Sequence, residues 1–101
     1  MTYNITVDAG KKECVVVIKT TFRLYRNDLE SFKILSELSG RIFRETRLEV
    51  NLLLRGDKTL HLTHKKVSKD VLLRKVEIAT TIIKEVYGVP DAPVQIQQGL
   101  F

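Results

Sequence analysis

Residues 68–87 read SKDVLLRKVEIATTIIKEVY, a segment with its own start, stop and period. Ser68 stands where an N-cap belongs, its hydroxyl free to accept an orphan N–H of the first turn, and Asp70 puts negative charge at the positive end of the helix dipole. Gly88 can close the helix in the left-handed conformation, and Pro90 forbids continuation. At about 100° per residue, Val71, Leu72, Val76, Ile78, Ala79, Ile82, Ile83, Val86 and Tyr87 cover an apolar arc approaching half the circumference. Arg74, Glu77, Thr81, Lys84 and Glu85 take the rest. One face of a sheet does not need so wide an arc, so a second surface is expected against it.

Working back toward the N-terminus, Tyr3, Ile5 and Val7 alternate with polar residues, as a half-buried strand requires. Residues 8–11 (DAGK) have turn chemistry. Residues 13–21 (ECVVVIKTT) are dominated by β-branched side chains and are expected to form a central strand covered on part of both faces. Asn27, with Glu30 three residues on, has the pattern of a capping box opening a helix to about Ser39 or Phe43. Its apolar stripe is expected to be Leu29, Phe32, Leu35, Ile42 and Phe43, with Leu38 at one margin. Ser36 and Ser39 within the stripe would let the helix approach the sheet closely. Gly40 suits either a C-cap or a helix interior.

Residues 47–55 (RLEVNLLLR) and 58–64 (KTLHLTH) alternate cleanly and flank Gly56-Asp57. A directly opposed pair shares a face, so an odd-length loop placing Leu54 opposite Leu60 and Leu52 opposite Leu62 is expected. Residues 94–96 (VQI) can form a short edge strand or lie loosely on the surface. The predicted fold is a single α+β domain spanning residues 1–101. Its order is ββαββα, a four-stranded antiparallel sheet with two helices packed on one face and residues 90–101 as a Pro-containing tail.

The 101 residues carry a net charge of +5, with 44% hydrophobic and 29% charged residues, the profile of an ordinary globular domain. The single cysteine, Cys14, cannot form an internal disulfide, and no apolar h-region opens the chain; together these lead to a cytoplasmic expectation. Residues 41–75 hold ten Lys or Arg against four acids, whereas residues 76–101 hold one base and three acids. Arg47, Arg55, Lys58, His61, Lys65, Lys66 and Lys69 are therefore expected to form a phosphate-contacting stripe on the second hairpin and its exit turn. The same residues also suit a solvated strand face whose lysines discourage edge-to-edge aggregation. No aromatic residue interleaves with these bases, so backbone contact without base stacking is the expected mode.

His61 and His64 lie three apart on a strand and point to opposite faces, so no metal site is expected. Cys14, at the start of an apolar strand, fits a small core residue better than a nucleophile. With no glycine-rich phosphate loop, no nucleophile elbow and no paired acids, neither catalytic residues nor a cofactor nor a small-molecule substrate is expected. Along one margin of the final helix, Val71, Ile78 and Ile82 beside the lone Lys75 are the expected protein interface.

In its second half the chain resembles a known family in layout. Leu48-Glu49-Val50-Asn51-Leu52, a Gly-containing turn, Leu60-His61-Leu62, and Lys69-Asp70-Val71-Leu72-Leu73-Arg74 opening a long helix are similar in arrangement to the small dimerising subunit of KEOPS. That complex makes the threonylcarbamoyl modification of tRNA. The resemblance, over roughly residues 47–87, implies a non-catalytic α+β domain that dimerises, docks through its helices on a catalytic subunit and helps hold tRNA. The family's final helix carries an Arg-Ala pair followed by Asn-Ser. Here Lys75 follows Arg74, and Ile78-Ala79-Thr80 replaces the rest, so no docking residue is carried over. The first hairpin and the tail have no counterpart in the family.

The expected function is thus a non-catalytic association module, a homodimer or a subunit of a complex, that binds RNA or DNA backbone. The competing expectation is a structural or regulatory protein–protein domain with no nucleic-acid role.

Overall fold

The computed structural model describes residues 3–9, 12–51, 56–88 and 94–98. Strands β1 (Tyr3–Ala9) and β2 (Glu13–Thr20) lead into helix α1 (Leu29–Thr46), followed by β3 (Glu49–Asn51), β4 (Thr59–Lys65) and helix α2 (Lys69–Tyr87). The expected ββαββα order and antiparallel four-stranded sheet are present. The tail contributes a fifth strand, β5 (Val94–Gln98), which pairs parallel with β1 at the sheet edge. The strand order is β3-β4-β2-β1-β5, so the β-branched β2 is the central strand.

The inward parity of the strands builds the core. Val7, Val16, Leu62 and Val50 form one row across four strands, and Ile5, Ile18 and Leu60 form the next. All but Val50 are fully or almost fully buried. Over these rows α1 lays Leu35, Leu38, Ile42 and Thr46, and α2 lays Leu72, Val76, Ala79, Thr80, Ile82 and Ile83. At one end Tyr3, Phe22 and Tyr87 pack in sequence, edge-to-face and then tilted, with ring centroids 5.7 and 5.8 Å apart. Tyr87 donates its phenol proton to the Leu24 carbonyl at 2.7 Å, and burial pushes its pKa up to about 12.

Helix α2 is capped as its sequence dictates: Ser68 accepts from the Val71 N–H, and Gly88 ends the helix at φ 65°. Helix α1 departs from expectation in three respects. Its N-cap is Asp28, which accepts from the Ser31 N–H at 2.7 Å, while Asn27 is engaged by the Tyr25 hydroxyl. A carboxylate caps as well as an amide, and the shift of one residue costs nothing in cap chemistry. The helix then runs through Gly40 to Thr46 and stops at Arg47, which takes φ 66° and donates its N–H to the Phe43 carbonyl. Thr46 secures that turn, its hydroxyl donating to the Ile42 carbonyl and accepting from the Leu48 N–H.

The third departure concerns which stripe is buried. Leu38, expected at a margin, is fully buried, whereas Leu29, Phe32 and Phe43 remain 70%, 48% and 38% exposed. Ser36 is also exposed, so it does not serve close approach to the sheet. The helix carries two apolar stripes, and the one through Leu35, Leu38, Ile42 and Thr46 packs on the sheet.

The β3–β4 register differs as well: Val50, not Leu52, lies opposite Leu62. The chain after β2 holds the far end of β4 in place. The Leu24 N–H donates to the Asp57 carbonyl at 2.6 Å, the Thr20 N–H donates to the Lys58 carbonyl at 2.9 Å, and Arg23 pairs with Asp57. The Thr20–Lys58 bond continues the β2–β4 ladder beyond Thr59 and, with the Asp57 contacts, fixes where β4 begins. The pairing expected of Leu52 and Leu54 lies outside the described residues.

Two outcomes follow from the α1 geometry. A Cβ at Gly40 would meet only an Arg44 guanidinium nitrogen at 3.9 Å, and Gly40 has no left-handed φ. Gly40→Ala therefore raises stability by about 0.5–1 kcal/mol, measured as the midpoint shift in urea. Asp28 is held below the ordinary carboxylate value by the Ser31 backbone N–H, then by the Ser31 side chain and Arg26. A depressed carboxyl stabilises the fold above its unfolded value and ceases to as pH falls through its folded one. Asp28→Ala thus lowers the Tm at neutral pH, and the difference from the parent closes in strong acid, while Asp28→Asn keeps its cap throughout.

Candidate functional site

At the end of the sheet where β2 starts and β4 finishes, α1 ends and α2 begins nearby. Antiparallel pairing sets Glu13 opposite Lys65 and Cys14 opposite His64 there. A shallow cleft of about 320 Å³ opens at this end, lined by Lys12, Glu13, Arg47, Glu49, Thr63, His64 and Lys65. Each side chain arrives for a local reason. Lys12 sits in the turn between β1 and β2, and Arg47 is the α1 C-cap. Glu49 and Thr63 are cross-strand partners on the open face of the sheet. The left-handed turn at Arg47 lays its guanidinium over the Phe43 ring, 5.2 Å from the centroid.

His64 forms the floor. It follows the inward parity of Leu60 and Leu62, is only 4% exposed, and lies beside the fully buried Cys14. Its Nδ1 is 2.7 Å from the Lys65 carbonyl, and its Nε2 is 2.6 Å from Lys75 Nζ. An ammonium group can only donate, so Nε2 accepts from Lys75 and Nδ1 carries the proton given to the carbonyl. Lys75 is thereby fixed behind the cleft. The one lysine on the apolar arc of α2 is there to satisfy a buried imidazole.

Of the residues expected to form a basic stripe, Arg47 and Lys65 meet in the cleft. Lys66 and Lys69 follow at the surface in the exit turn and at the first position of α2. Lys58 lies beyond the opposite end of the seven-residue β4, roughly 20 Å away at the usual rise per residue. His61 is half-buried in mid-strand on the open face, between Asn51 and Val17. Arg55 lies outside the described residues. The stripe is therefore divided, and its larger part gathers at the β2–β4 end. Lys12 and Lys75 complete that part. Lys12 was hidden because only the β2–β4 register places it beside Lys65; Lys75 was signalled by its isolation on an apolar arc.

Among the described residues the ion pairs are Arg23–Asp57, Arg41–Glu45 and Arg41–Glu85. Lys12, Arg47 and Lys65 take part in none of them, and Glu13 and Glu49 are likewise unpaired. Three cations and two carboxylates thus line one cleft, with a fourth cation bound to its floor. No group of three His, Cys, Asp or Glu among the described residues is placed to hold a metal ion, and no helix there is long and apolar enough to cross a membrane.

The expected interface on α2 is also divided. Ile82 is 2% exposed, part of the core, while Val71 and Ile78 remain 42% and 37% exposed. Packing on the sheet and against α1 absorbs most of the wide arc.

No family model matches the chain, and no curated protein matches it. Among solved structures, it is similar to the crystal structure of an essential ribosomal processing protease, Prp, from S. aureus, in complex with a substrate peptide. The identity is 12%, the alignment covers 96% of this chain and 99% of that one, and the TM-score is 0.38. The expectation of a chain without catalysis is corrected by this match to a protease and is withdrawn. A likeness at this identity and TM-score transfers no activity, substrate or residue role to the chain. It does not test the resemblance to the small subunit of KEOPS expected from the sequence.

The Lys75–His64 contact has a direct check. Lys75→Met leaves a buried imidazole nitrogen without its donor and destabilises the fold by about 1–3 kcal/mol in urea unfolding. Lys66→Met, on the exposed turn, shifts stability by less than about 0.5 kcal/mol.

Proposed function

We propose that the chain binds the sugar–phosphate backbone of nucleic acid through the basic end of its sheet, alone or as a subunit of a nucleic-acid-processing complex. The observation that carries this reading is the convergence of Lys12, Arg47 and Lys65 on one cleft beside Glu13 and Glu49, with none of the three cations in an ion pair among the described residues. Lys75 stands behind the cleft, and Lys66 and Lys69 extend its basic rim.

The chemistry suits phosphate oxygens. Arg47 offers a planar fork of donors whose orientation is set by the Phe43 ring, while the lysines act as mobile point charges. Thr63 adds a hydroxyl at the cleft wall. Glu13 and Glu49 repel a phosphate, which limits how many contacts fit between the cations and keeps the affinity modest. Nothing in the cleft stacks on a base or presents an amide to a base edge, so affinity is expected to track backbone charge and not sequence.

The test is fluorescence anisotropy with a labelled duplex and a labelled single strand, across a salt series. Binding is expected to weaken as salt rises, with a log–log slope of about −3 to −5 on duplex DNA, the signature of that many neutralised phosphates. The triple variant Lys12→Gln, Lys65→Gln, Lys66→Gln should flatten the slope by about 3, and Lys58→Gln, at the other end of β4, should leave it unchanged. Undetectable binding at about 50 mM salt, or an equal loss in both variants, sinks the reading.

A further inference from the structure

Among the residues lining the cleft, His64 is the buried one, and its two ring nitrogens are held by opposite kinds of contact. Nδ1 donates to the Lys65 carbonyl at 2.7 Å, while Nε2 accepts from the Lys75 ammonium at 2.6 Å. The second contact exists only while Nε2 carries no proton. An imidazolium has two N–H donors and no acceptor, and an ammonium has donors only, so a charged His64 cannot keep that hydrogen bond.

Every element around the ring brings a charged or titratable group to it. The turn before β2 supplies Lys12, the α1 C-cap supplies Arg47, β4 itself supplies Lys65, and α2 supplies Lys75. Against these four cations stand Glu13 from β2 and Glu49 from β3. Cys14, directly across on β2, adds a fully buried thiol. The fold therefore sets a neutral imidazole beneath a cleft that is built to receive an anion. A phosphate seated there adds negative charge beside a ring able to take a proton, and a neighbouring anion favours the charged form of an imidazole.

We propose that polyanion binding at the basic end of the sheet is proton-coupled: as a phosphate settles among Lys12, Arg47 and Lys65, His64 takes one proton from solvent and parts from Lys75. The ring gains a counter-charge in the anion. Lys75, on its flexible four-carbon stem, turns its ammonium away from the new N–H. Linkage is reciprocal, so a binding event that takes up a proton is strengthened by acid and weakened as pH rises. This inference rests on the nucleic-acid reading above and adds its regulation. His61, the other histidine, does not share the role, because it lies in mid-strand on the open face between Val17 and Asn51.

The test repeats the anisotropy titration at constant salt from about pH 8 to about pH 5.5, the interval in which histidine side chains change charge. Binding by the parent chain and by His61→Gln is expected to tighten alike as pH falls, approaching but not exceeding about tenfold per pH unit, the limit for one linked proton. His64→Gln loses this gain. Lys75→Met moves it to higher pH, since no ammonium then opposes the proton. Circular dichroism shows whether each variant remains folded. A second measurement needs no change at His64: in His61→Gln it is the one histidine of the chain. Its imidazole C–H resonances, followed by NMR at about pH 6.5, should move toward the imidazolium position when the oligonucleotide is added. Salt-dependent binding that is the same at every pH overturns the proton coupling and leaves backbone binding standing. Resonances that the oligonucleotide does not move, or a pH gain that survives in folded His64→Gln, overturn the coupling as well. An absence of binding at every pH overturns both.

Discussion

The pairing of β2 with β4 is the constraint on which the rest of the molecule depends. Val16 opposite Leu62 joins two hairpins that are far apart in sequence and makes a β-branched strand the centre of the sheet. Because side chains alternate with a period of two, that single register puts Cys14, Val16, Ile18, Leu60, Leu62 and His64 on the covered face. It also sends Val15, Val17, His61 and Thr63 to the open one. Slipping it by one residue would place lysine and threonine under the helices and the leucines in water. The helices follow from it, since α2 begins only four residues after β4 ends and must cross back over the rows that β4 has just completed.

The same register makes the basic end. Lys65 ends β4 where Glu13 begins β2, so the turn before β2 and the turn after β4 project from the same end of the sheet. Helix α1 delivers Arg47 there because it runs six residues past Gly40 before stopping. His64 is inward by parity and is polar at the margin of an apolar core, a position that costs stability unless the ring nitrogens are satisfied. Lys75 and the Lys65 carbonyl satisfy them. A structural requirement of the core thereby fixes a cation at the base of a surface cleft.

Much of this was legible in the sequence wherever local chemistry decides. The Ser68 and Gly88 caps define α2, the alternation of Tyr3, Ile5 and Val7 and the β-branched run after Glu13 define a hairpin, and Gly56 marks a loop. What was not legible depends on contacts distant in sequence. The β3–β4 register could not be found from side-chain parity, because pairing Leu62 with Val50 or with Leu52 keeps the same residues on the inward face. The basic residues read as one stripe because they are close in sequence, yet a strand of seven residues separates Lys58 from Lys65. Lys12, remote in sequence, is nearer to Lys65 than Lys58 is. Asp28 and not Asn27 caps α1, and both are short polar acceptors suited to that position, so residue type alone does not separate them.

Helix α1 shows most clearly why amphipathicity alone does not identify a core face. Its apolar residues fall on two stripes offset by a fraction of a turn: Leu35, Leu38, Ile42 and Thr46 on one, Leu29, Phe32 and Phe43 on the other. Merged, they resemble a single broad face with serines embedded in it. Separated by burial, the first is the one the sheet requires and the second is dispensable to the monomer. The monomer gains nothing from Phe32 in water, nor from a glycine where alanine would fit.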